Sequence, residues 1–328
     1  MHSPRNSERL AYFKISLHIR DTVAQVQRNN AMERHVTVLI DEAVKALAIN
    51  ESSVVVDATL GACGHARAIT TLLGTNGTYI GIDADSTAVA EAPQIIGNVA
   101  CTTHFITDNF RHIDSIVRNV HQGNVDAILA DLGWRMEQFS GNGKGFSFQI
   151  DEPLIMTYGD REQYAFTAHD IVNEWEEEQI VSILRGYGEE RFAGRIARHI
   201  VEAREVKPID TTFELVAIIE SAVPLFYKRA RLHCATRTFQ ALRITVNDEF
   251  SALEEFLAKA ITVLAPKGRL AIITFHSMED RIVKHTFKNF THDQTGILVT
   301  KKPITPSITE LQANPRARSA KLRIFEKL

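Results

Sequence analysis

The chain alternates between two patterns of hydrophobic residues. Short continuous apolar runs are separated by segments in which apolar residues recur every three or four positions. Val54–Ala58 is continuous and rich in β-branched residues, which is typical of a parallel strand buried on both faces. Similar runs follow at 78–83, 103–106, 125–131 and 269–275. Because these runs alternate with helical patterns through short loops, we predict a doubly wound α/β sheet.

A long helical stretch interrupts this alternation. From Ala168 to Glu220 the apolar spacing is helical, and Asn173 with Glu176 three residues later indicates a capping box. Two late runs, 297–300 and 321–326, predict an antiparallel pair of strands that completes the sheet. Along the chain we therefore predict an N-terminal extension at 1–34, a core at 35–139 and 240–328, and an inserted all-helical domain at 140–239.

Glycine and polar residues stand at the ends of the first four predicted strands. They are the turn with Gly61 and Gly64, then Asp83, the segment Asp108–Phe110, and Asp131. Open parallel sheets bind ligands at the carboxyl ends of their strands, so these residues are expected at one edge. Each has an ordinary structural explanation alone, since glycine turns are common, aspartates cap helices and phenylalanines fill cores. In this order, they predict a site for a cofactor that contains adenosine.

Two adenosine cofactors fit that arrangement. A nicotinamide dinucleotide is usually bound by a G-x-G-x-x-G turn, whose third glycine allows close packing of helix on strand. The run from Gly61 to Ala66 lacks that spacing. Asp57 precedes the turn, where an acid suits the ammonium group of S-adenosylmethionine. The residues therefore favour methyl transfer, and an NAD-dependent dehydrogenase stays as the alternative.

Composition excludes several classes of protein. Of the 328 residues, 45% are hydrophobic and 23% are charged, which supports a sizeable core and excludes a disordered chain. The three cysteines lie far apart without C-x-x-C spacing, so we expect no disulfide framework, no metal site and a reducing compartment. No apolar run reaches the roughly 18 residues that a membrane helix needs, so we expect no membrane partner.

The first thirty residues bear on the location of the protein. They lack the apolar core of a secretory signal, yet they carry several basic residues and few acids. We therefore expect a cytoplasmic protein, with organellar import through a transit peptide as the alternative.

The distribution of charge matters more than its sum. The net charge is −3, from 37 basic and 40 acidic side chains, which alone disfavours a polyanionic partner. The segment Lys228–Arg243 nevertheless contains five basic residues and no acid. Such a cluster can neutralise phosphates, although an ordinary solvated surface gives the same pattern. The RNA-binding candidates are Lys228, Arg229, Arg231, Arg237 and Arg243, together with Arg316 and Arg318 near the C-terminus.

Nine short motifs follow one another from His35 to the C-terminus. They are His35–Leu39, Asp57–His65, Gly81–Asp85, Asp131–Gly133, Gly145–Phe148, Tyr187–Phe192, Ala235–Ile244, Phe275–Arg281 and Asn314–Ser319. Together they resemble the RsmH/MraW family of small-subunit rRNA cytosine-N4 methyltransferases. The series spans the predicted core and the predicted insertion, so the resemblance covers nearly the whole chain.

The resemblance implies a fold, a reaction and a set of site residues. The fold is a Rossmann-like class I S-adenosylmethionine-dependent methyltransferase core with an inserted all-helical domain. The reaction is N4-methylation of a cytidine in the decoding region of 16S rRNA, so the implied partner is the small ribosomal subunit; a homodimer stays open. Asp131 is the catalytic candidate, and it either accepts a hydrogen bond from the substrate amine or holds the cofactor. The family's cofactor contacts fall on Cys63, Gly64, His65, Asp83, Phe110, Asp131 and Gln138.

Two departures from the family pattern give a second hypothesis. Cys63 stands where the family usually has a glycine, and Trp134–Glu137 replaces a valine, two serines and a proline. If either serine were needed for chemistry, this chain would be a catalytically weak or inactive assembly factor for the small subunit that retains cofactor binding.

Overall fold

Among the residues that the structure describes, seven strands form one sheet. The structure is a computed structural model, and it describes residues 37–133 and 143–328. The strands are β1 (Val54–Asp57), β2 (Thr78–Asp83), β3 (Thr102–Thr107), β4 (Val125–Asp131), β5 (Leu264–Thr274), β6 (Gly296–Leu298) and β7 (Lys321–Lys327). Their order is β3-β2-β1-β4-β5-β7-β6. The first five strands run parallel, and β7 pairs antiparallel with both β5 and β6. The predicted Rossmann-like α/β fold and its late antiparallel pair are confirmed.

The chain divides into two compact units. The first comprises the described residues up to Gly133 together with Ala252–Leu328, and the second lies within Trp134–Ser251. The chain returns to the first unit at Ala252, whereas the sequence predicted this return at residue 240. The difference arises because Ala241, Leu242 and Val246 belong to the apolar core of the second unit.

The helices of the first unit come in two groups along the chain. Before the second unit there are α1 (Ile40–Leu47), α2 (Gly64–Thr70), α3 (Ser86–Ile96) and α4 (Ile113–Val120). The second unit contains α5 (Ala168–Glu174), α6 (Glu177–Gly186), α7 (Ala193–Arg204), α8 (Thr212–Ala222), α9 (Leu225–Lys228) and α10 (Thr236–Asn247). After it come α11 (Glu249–Val263), which lies mainly in the first unit, α12 (Ser277–His292) and α13 (Ile308–Ala313).

Apolar side chains cover both faces of the sheet. Val55 and Leu129 belong to a cluster on one face, and Val56 and Ile128, one residue away on the same strands, belong to a cluster on the other. All four are fully buried. Burial on both faces explains why these strands are continuous apolar runs rather than alternating ones.

The second unit has its own helical core, and one local prediction there is wrong. The sequence indicated a capping box at Asn173 and Glu176, but the boxes pair Thr167 with Asp170 and Glu176 with Gln179. The Asn173 amide instead donates to the carbonyl of Ile209 and accepts from its N–H. Asn173 therefore ties α5 to the loop before α8, and that partner 36 residues away is invisible in the local pattern.

Candidate active site

The turn after β1 departs from ordinary backbone geometry at two residues. Gly61 has φ 53° and Cys63 has φ 61°, so both lie in the left-handed region. Glycine adopts this region freely, whereas a residue with a side chain is strained there. The side chain of Cys63 is fully buried, and the residue directly precedes α2. The buried thiol packs inside the unit, while the main chain of the turn defines the edge of the site.

Gly64 allows a close approach between the start of α2 and the segment before α1. A Cβ atom at Gly64 would lie 1.8 Å from Oγ1 of Thr37. Thr37 is itself buried, so it has little room to move away. The hydrogen of Gly64 is therefore required by packing, a requirement that the glycine pattern alone did not reveal.

Asp83 connects the turn after β1 to the turn after β2. Its Oδ2 accepts a hydrogen bond from the N–H of Gly61 at 2.8 Å, and its Oδ1 accepts from the N–H of Asp85 at 2.9 Å. A carboxylate only accepts hydrogen bonds, which is the chemistry that ribose hydroxyls require of a partner. The sequence predicted the ligand contact, and the structure adds that Asp83 fixes the glycine turn.

Phe110 lies beside the same edge of the sheet. It follows β3 in a short 3-10 turn, and the N–H of Asp108 donates to the carbonyl of Asp83 at 3.0 Å. The half-buried Phe110 ring meets Phe256 of α11 edge to face, with ring centroids 5.1 Å apart. This contact fixes the plane of the ring beside the Asp83 turn, which is the placement predicted for an adenine contact.

A buried polar cluster lies where β1 and β4 end. The N–H of Asp131 donates to Oγ1 of Thr59 at 2.6 Å, and the N–H of Thr59 donates to Oδ1 of Asp57 at 3.2 Å. Tyr79 of β2 donates its hydroxyl to Oδ2 of Asp57 at 2.9 Å. The imidazole of His65 approaches from α2, with its Nε2 3.4 Å from Oδ2 of Asp131. The sequence pointed to Asp57, His65 and Asp131, and it missed Thr59 and Tyr79.

The environment of Asp57 changes its acidity. Burial raises the pKa of Asp57 to about 6, and His65, the Tyr79 hydroxyl and the Thr59 N–H act in the opposite direction. Asp57 is 1% exposed, so it lies beneath the turn rather than on its surface. Asp57 accepts hydrogen bonds within the unit, and its expected contact with an ammonium group stays a prediction.

Asp131 has acceptor capacity to offer a ligand. Its side chain is 21% exposed, and among the described residues its Oδ1 is buried without a hydrogen-bond partner. An unsatisfied carboxylate oxygen at a strand end is unfavourable unless something else donates to it. The predicted contact Gln138 and the altered run Trp134–Glu137 lie outside the described residues.

The motif Phe275–Arg281 has a structural role in the first unit. His276 caps α12 and forms a capping box with Glu279. The carboxylate of Glu279 also accepts a hydrogen bond from the N–H of Phe275 at 3.0 Å. Asp280 pairs with Lys321 and Arg323 of β7, and these partners lower the pKa of its carboxyl against the opposing effect of burial. The motif therefore fastens α12 to β7.

The basic candidates divide by burial. Lys228, Arg229 and Arg231 are exposed in the second unit, and Arg316 and Arg318 are exposed in the first. Half-buried Arg237 donates to the carbonyl oxygen of Glu189.

Arg243 does not belong to the exposed group. It is 7% exposed, and its Nε and Nη2 donate to the two carboxylate oxygens of Glu249 at 2.7 and 2.8 Å. This bidentate pair holds the end of α10 to the start of α11. Arg243 therefore has a structural role, and we remove it from the surface expected to contact RNA.

One group of side chains in the second unit has the composition of a metal site. Ligand atoms of Glu220, His233 and Cys234 lie within 4.8 Å of one another. However, Nδ1 of His233 accepts a hydrogen bond from the N–H of Ala235, and the ring stacks on Phe148 with centroids 4.7 Å apart. These contacts account for His233 structurally, and the expectation of no metal stays a prediction.

The expectation that the chain has no membrane-spanning helix can be compared with the helices of the structure. Among residues 37–133 and 143–328, no helix combines the length and the apolar character that crossing a bilayer requires.

Comparison with known proteins gives one family along nearly the whole chain. The model of the MraW methylase family matches residues 32–328. A protein of Brevibacillus brevis named ribosomal RNA small subunit methyltransferase H is 44% identical over 309 residues, which cover 90% of this chain and 98% of that protein. A protein of the same name from Symbiobacterium thermophilum is 42% identical over 309 residues, covering 90% and 96%.

A comparison of folds gives weaker likenesses. The solved structure of an rRNA methylase from Streptococcus thermophilus has a TM-score of 0.41 and 14% identity, covering 90% of this chain and 99% of that one. That likeness is too distant to bear on function. The family match and the sequence identities carry the conclusion: the chain belongs to the MraW methylase family and is an S-adenosylmethionine-dependent methyltransferase.

Proposed function

We propose that this protein methylates the exocyclic N4 of a cytidine in the decoding region of 16S rRNA, within the small ribosomal subunit. Family membership and relatives named as small-subunit rRNA methyltransferases support the substrate class. The observation that carries the chemistry is the single sheet edge at which Asp83, Phe110, Asp131 and the turn before Gly64 lie.

The residues at that edge fit S-adenosylmethionine. Asp83 is a carboxylate beside the glycine turn, where it would accept hydrogen bonds from ribose hydroxyls, and Phe110 presents a fixed ring for the adenine. Oδ1 of Asp131 has no hydrogen-bond partner among the described residues, as expected of an atom that awaits a donor. When bound, the cofactor supplies a methyl group on a positively charged sulfur.

The reaction needs alignment more than it needs a covalent nucleophile from the protein. The N4 lone pair attacks the methyl carbon directly, so the protein must hold the amine in line and accept a proton late. In this proposal Asp131 accepts a hydrogen bond from the amine. Cys63 is fully buried, so its thiol takes no part in the transfer. The cytosine has to leave its base stack to reach the site.

Labelled methyl transfer to ribosomal particles tests this function. Purified protein is incubated with methyl-labelled S-adenosylmethionine and immature 30S particles, and the rRNA is digested to nucleosides. We expect the label in N4-methylcytidine from 16S rRNA. Asp83→Ala should abolish labelling through loss of cofactor binding, whereas Asp114→Asn, which removes a surface carboxylate paired with Arg118, should label normally.

One other outcome would point to an alternative. Unlabelled rRNA together with tight cofactor binding would favour the assembly-factor hypothesis, which the altered run Trp134–Glu137 motivates. The dehydrogenase that the glycine turn left open is set aside, because the chain belongs to the MraW methylase family.

A further inference from the structure

His65 is a buried polar residue that no structural contact explains. It is 5% exposed, and among the described residues neither of its ring nitrogens has a hydrogen-bond partner that meets ordinary geometry. Leaving a buried imidazole unsatisfied is unfavourable. Its nearest acidic neighbour is Asp131, with 3.4 Å between Nε2 and Oδ2. If the cofactor contacts only the main chain of this turn, cofactor binding does not explain why the imidazole of His65 is buried here.

The surroundings of His65 determine which atom carries hydrogen. Asp131 faces it from the end of β4, and Asp57 faces it from the end of β1 with the Tyr79 hydroxyl of β2 behind. The buried Cys63 precedes it on the turn. A carboxylate only accepts hydrogen bonds, so Nε2 of His65 can act on Asp131 only in the form in which that nitrogen carries a hydrogen. One oxygen of Asp131 is then directed to His65, and the other, Oδ1, is left for a ligand.

We propose that His65 is a positioning residue, whose Nε2–H orients the carboxylate of Asp131 so that Oδ1 accepts the proton of the substrate amine. This inference rests on the proposed function. In the step, the N4 lone pair forms the bond to the methyl carbon, and the carbon–sulfur bond breaks with its electron pair remaining on sulfur. One of the two protons then carried by N4 passes to Oδ1 of Asp131, which leaves neutral methylated cytosine.

Two substitutions separate positioning from packing. His65→Leu fills a similar volume without any donor, whereas His65→Gln retains an N–H donor on a side chain of similar reach. Both keep the main chain that precedes and forms α2. We expect His65→Leu to lower kcat by about tenfold to a hundredfold, because the donor that faces the charged carboxylate of Asp131 is lost. His65→Gln should recover most of that loss, and the KM for S-adenosylmethionine should change little in either variant.

Recovery of kcat by His65→Gln is the readout that a packing role would not produce. Leucine fills the space of the imidazole as well as glutamine does, and only glutamine returns an N–H donor to the carboxylate of Asp131.

A double substitution completes the experiment. In an Asp131→Asn background, His65→Leu should cause little further loss of kcat, because the group that His65 orients is gone. Equal additional losses in both backgrounds would overturn the proposal. So would a His65→Leu enzyme with the wild-type kcat. Absence of methyl transfer by the wild-type protein would instead refute the proposed function, so the two failures are distinguishable.

Discussion

Asp57 shows how one residue couples the candidate site to stability. Its carboxyl is buried between the ends of β1 and β2, and it accepts hydrogen bonds from Tyr79 and Thr59. Burial raises the pKa of Asp57 to about 6, compared with 3.8 for an ordinary aspartate. The native protein therefore binds this proton more tightly than the unfolded chain does.

The free energy of unfolding should reflect that difference. Between pH 4 and pH 6 the native state keeps the proton that the unfolded chain has lost, so stability decreases as the pH rises through this window. Through this window the proton on Asp57 lowers the free energy of unfolding by about 3 kcal/mol as the pH rises. Above the window this loss is constant. Asp57→Asn should remove this dependence. Urea unfolding of both proteins at pH 4.5 and pH 7 measures it, and parallel pH profiles would contradict the assignment.

At the level of elements, the start of α2 depends on a missing side chain. Gly64 contacts Thr37 so closely that even an alanine would overlap Oγ1 of Thr37. The turn between β1 and α2 therefore keeps its shape only while residue 64 has no Cβ.

Gly64→Ala should lower both the melting temperature and the affinity for S-adenosylmethionine. The clash forces α2 away from Thr37, and inserting a methyl group into packed surroundings typically costs about 1–3 kcal/mol. Gly186→Ala is a matched control, because a Cβ at the end of α6 would meet no atom within 4 Å. Calorimetry should find normal cofactor binding for Gly186→Ala. An unchanged affinity of Gly64→Ala for S-adenosylmethionine would contradict this prediction, because the turn would then tolerate the displacement of α2.

The ion pair between Arg243 and Glu249 is a second element-level feature. Both side chains are largely buried, and Glu249 also accepts from the Tyr158 hydroxyl at 2.9 Å. Arg243→Met should destabilise the protein by about 3–5 kcal/mol, because it leaves a buried carboxylate without its cation. Arg198→Ala, which removes an exposed arginine 4.0 Å from Glu177, should cost less than about 1 kcal/mol. Similar losses in chemical unfolding of the two variants would contradict this account.

The local sequence pattern predicted the strands and the residues at their ends, because burial on both faces gives continuous apolar runs and the strand ends are followed by glycine and polar residues. It did not predict that Arg243 is buried, since a run of basic residues carries no information about the Glu249 that faces one of them. It also missed Tyr79 as a donor to Asp57, because that contact joins residues 22 positions apart. Contacts set by tertiary packing are thus what the sequence pattern lacks.

At the scale of the whole molecule, a net charge of −3 is compatible with RNA binding if basic residues are grouped. Lys228, Arg229 and Arg231 are exposed and close together along the second unit, and Arg316 and Arg318 are exposed in the first. Such a distribution favours binding one place on a folded ribosomal particle over general coating of RNA.

The salt dependence of binding to 30S particles tests the first of these groups. Replacing Lys228, Arg229 and Arg231 by alanine should weaken binding and lower the slope of log affinity against log salt by about 2, because about three phosphate contacts are lost. The melting temperature should not change, since all three residues are exposed. A control that removes Lys284, Lys288 and Lys301, which are exposed in the first unit, should keep the slope. Equal slopes for wild type and the first variant would remove this surface from the account.

The most direct test of N4-methylation by this protein is mass spectrometry of 16S rRNA from cells with and without its gene. We expect one cytidine in the decoding region to carry an N4-methyl group only when the gene is present. The variant Asp83→Ala, which should abolish cofactor binding, should behave like the deletion. Identical modification of that rRNA in both strains, at every cytidine of the decoding region, would contradict the account.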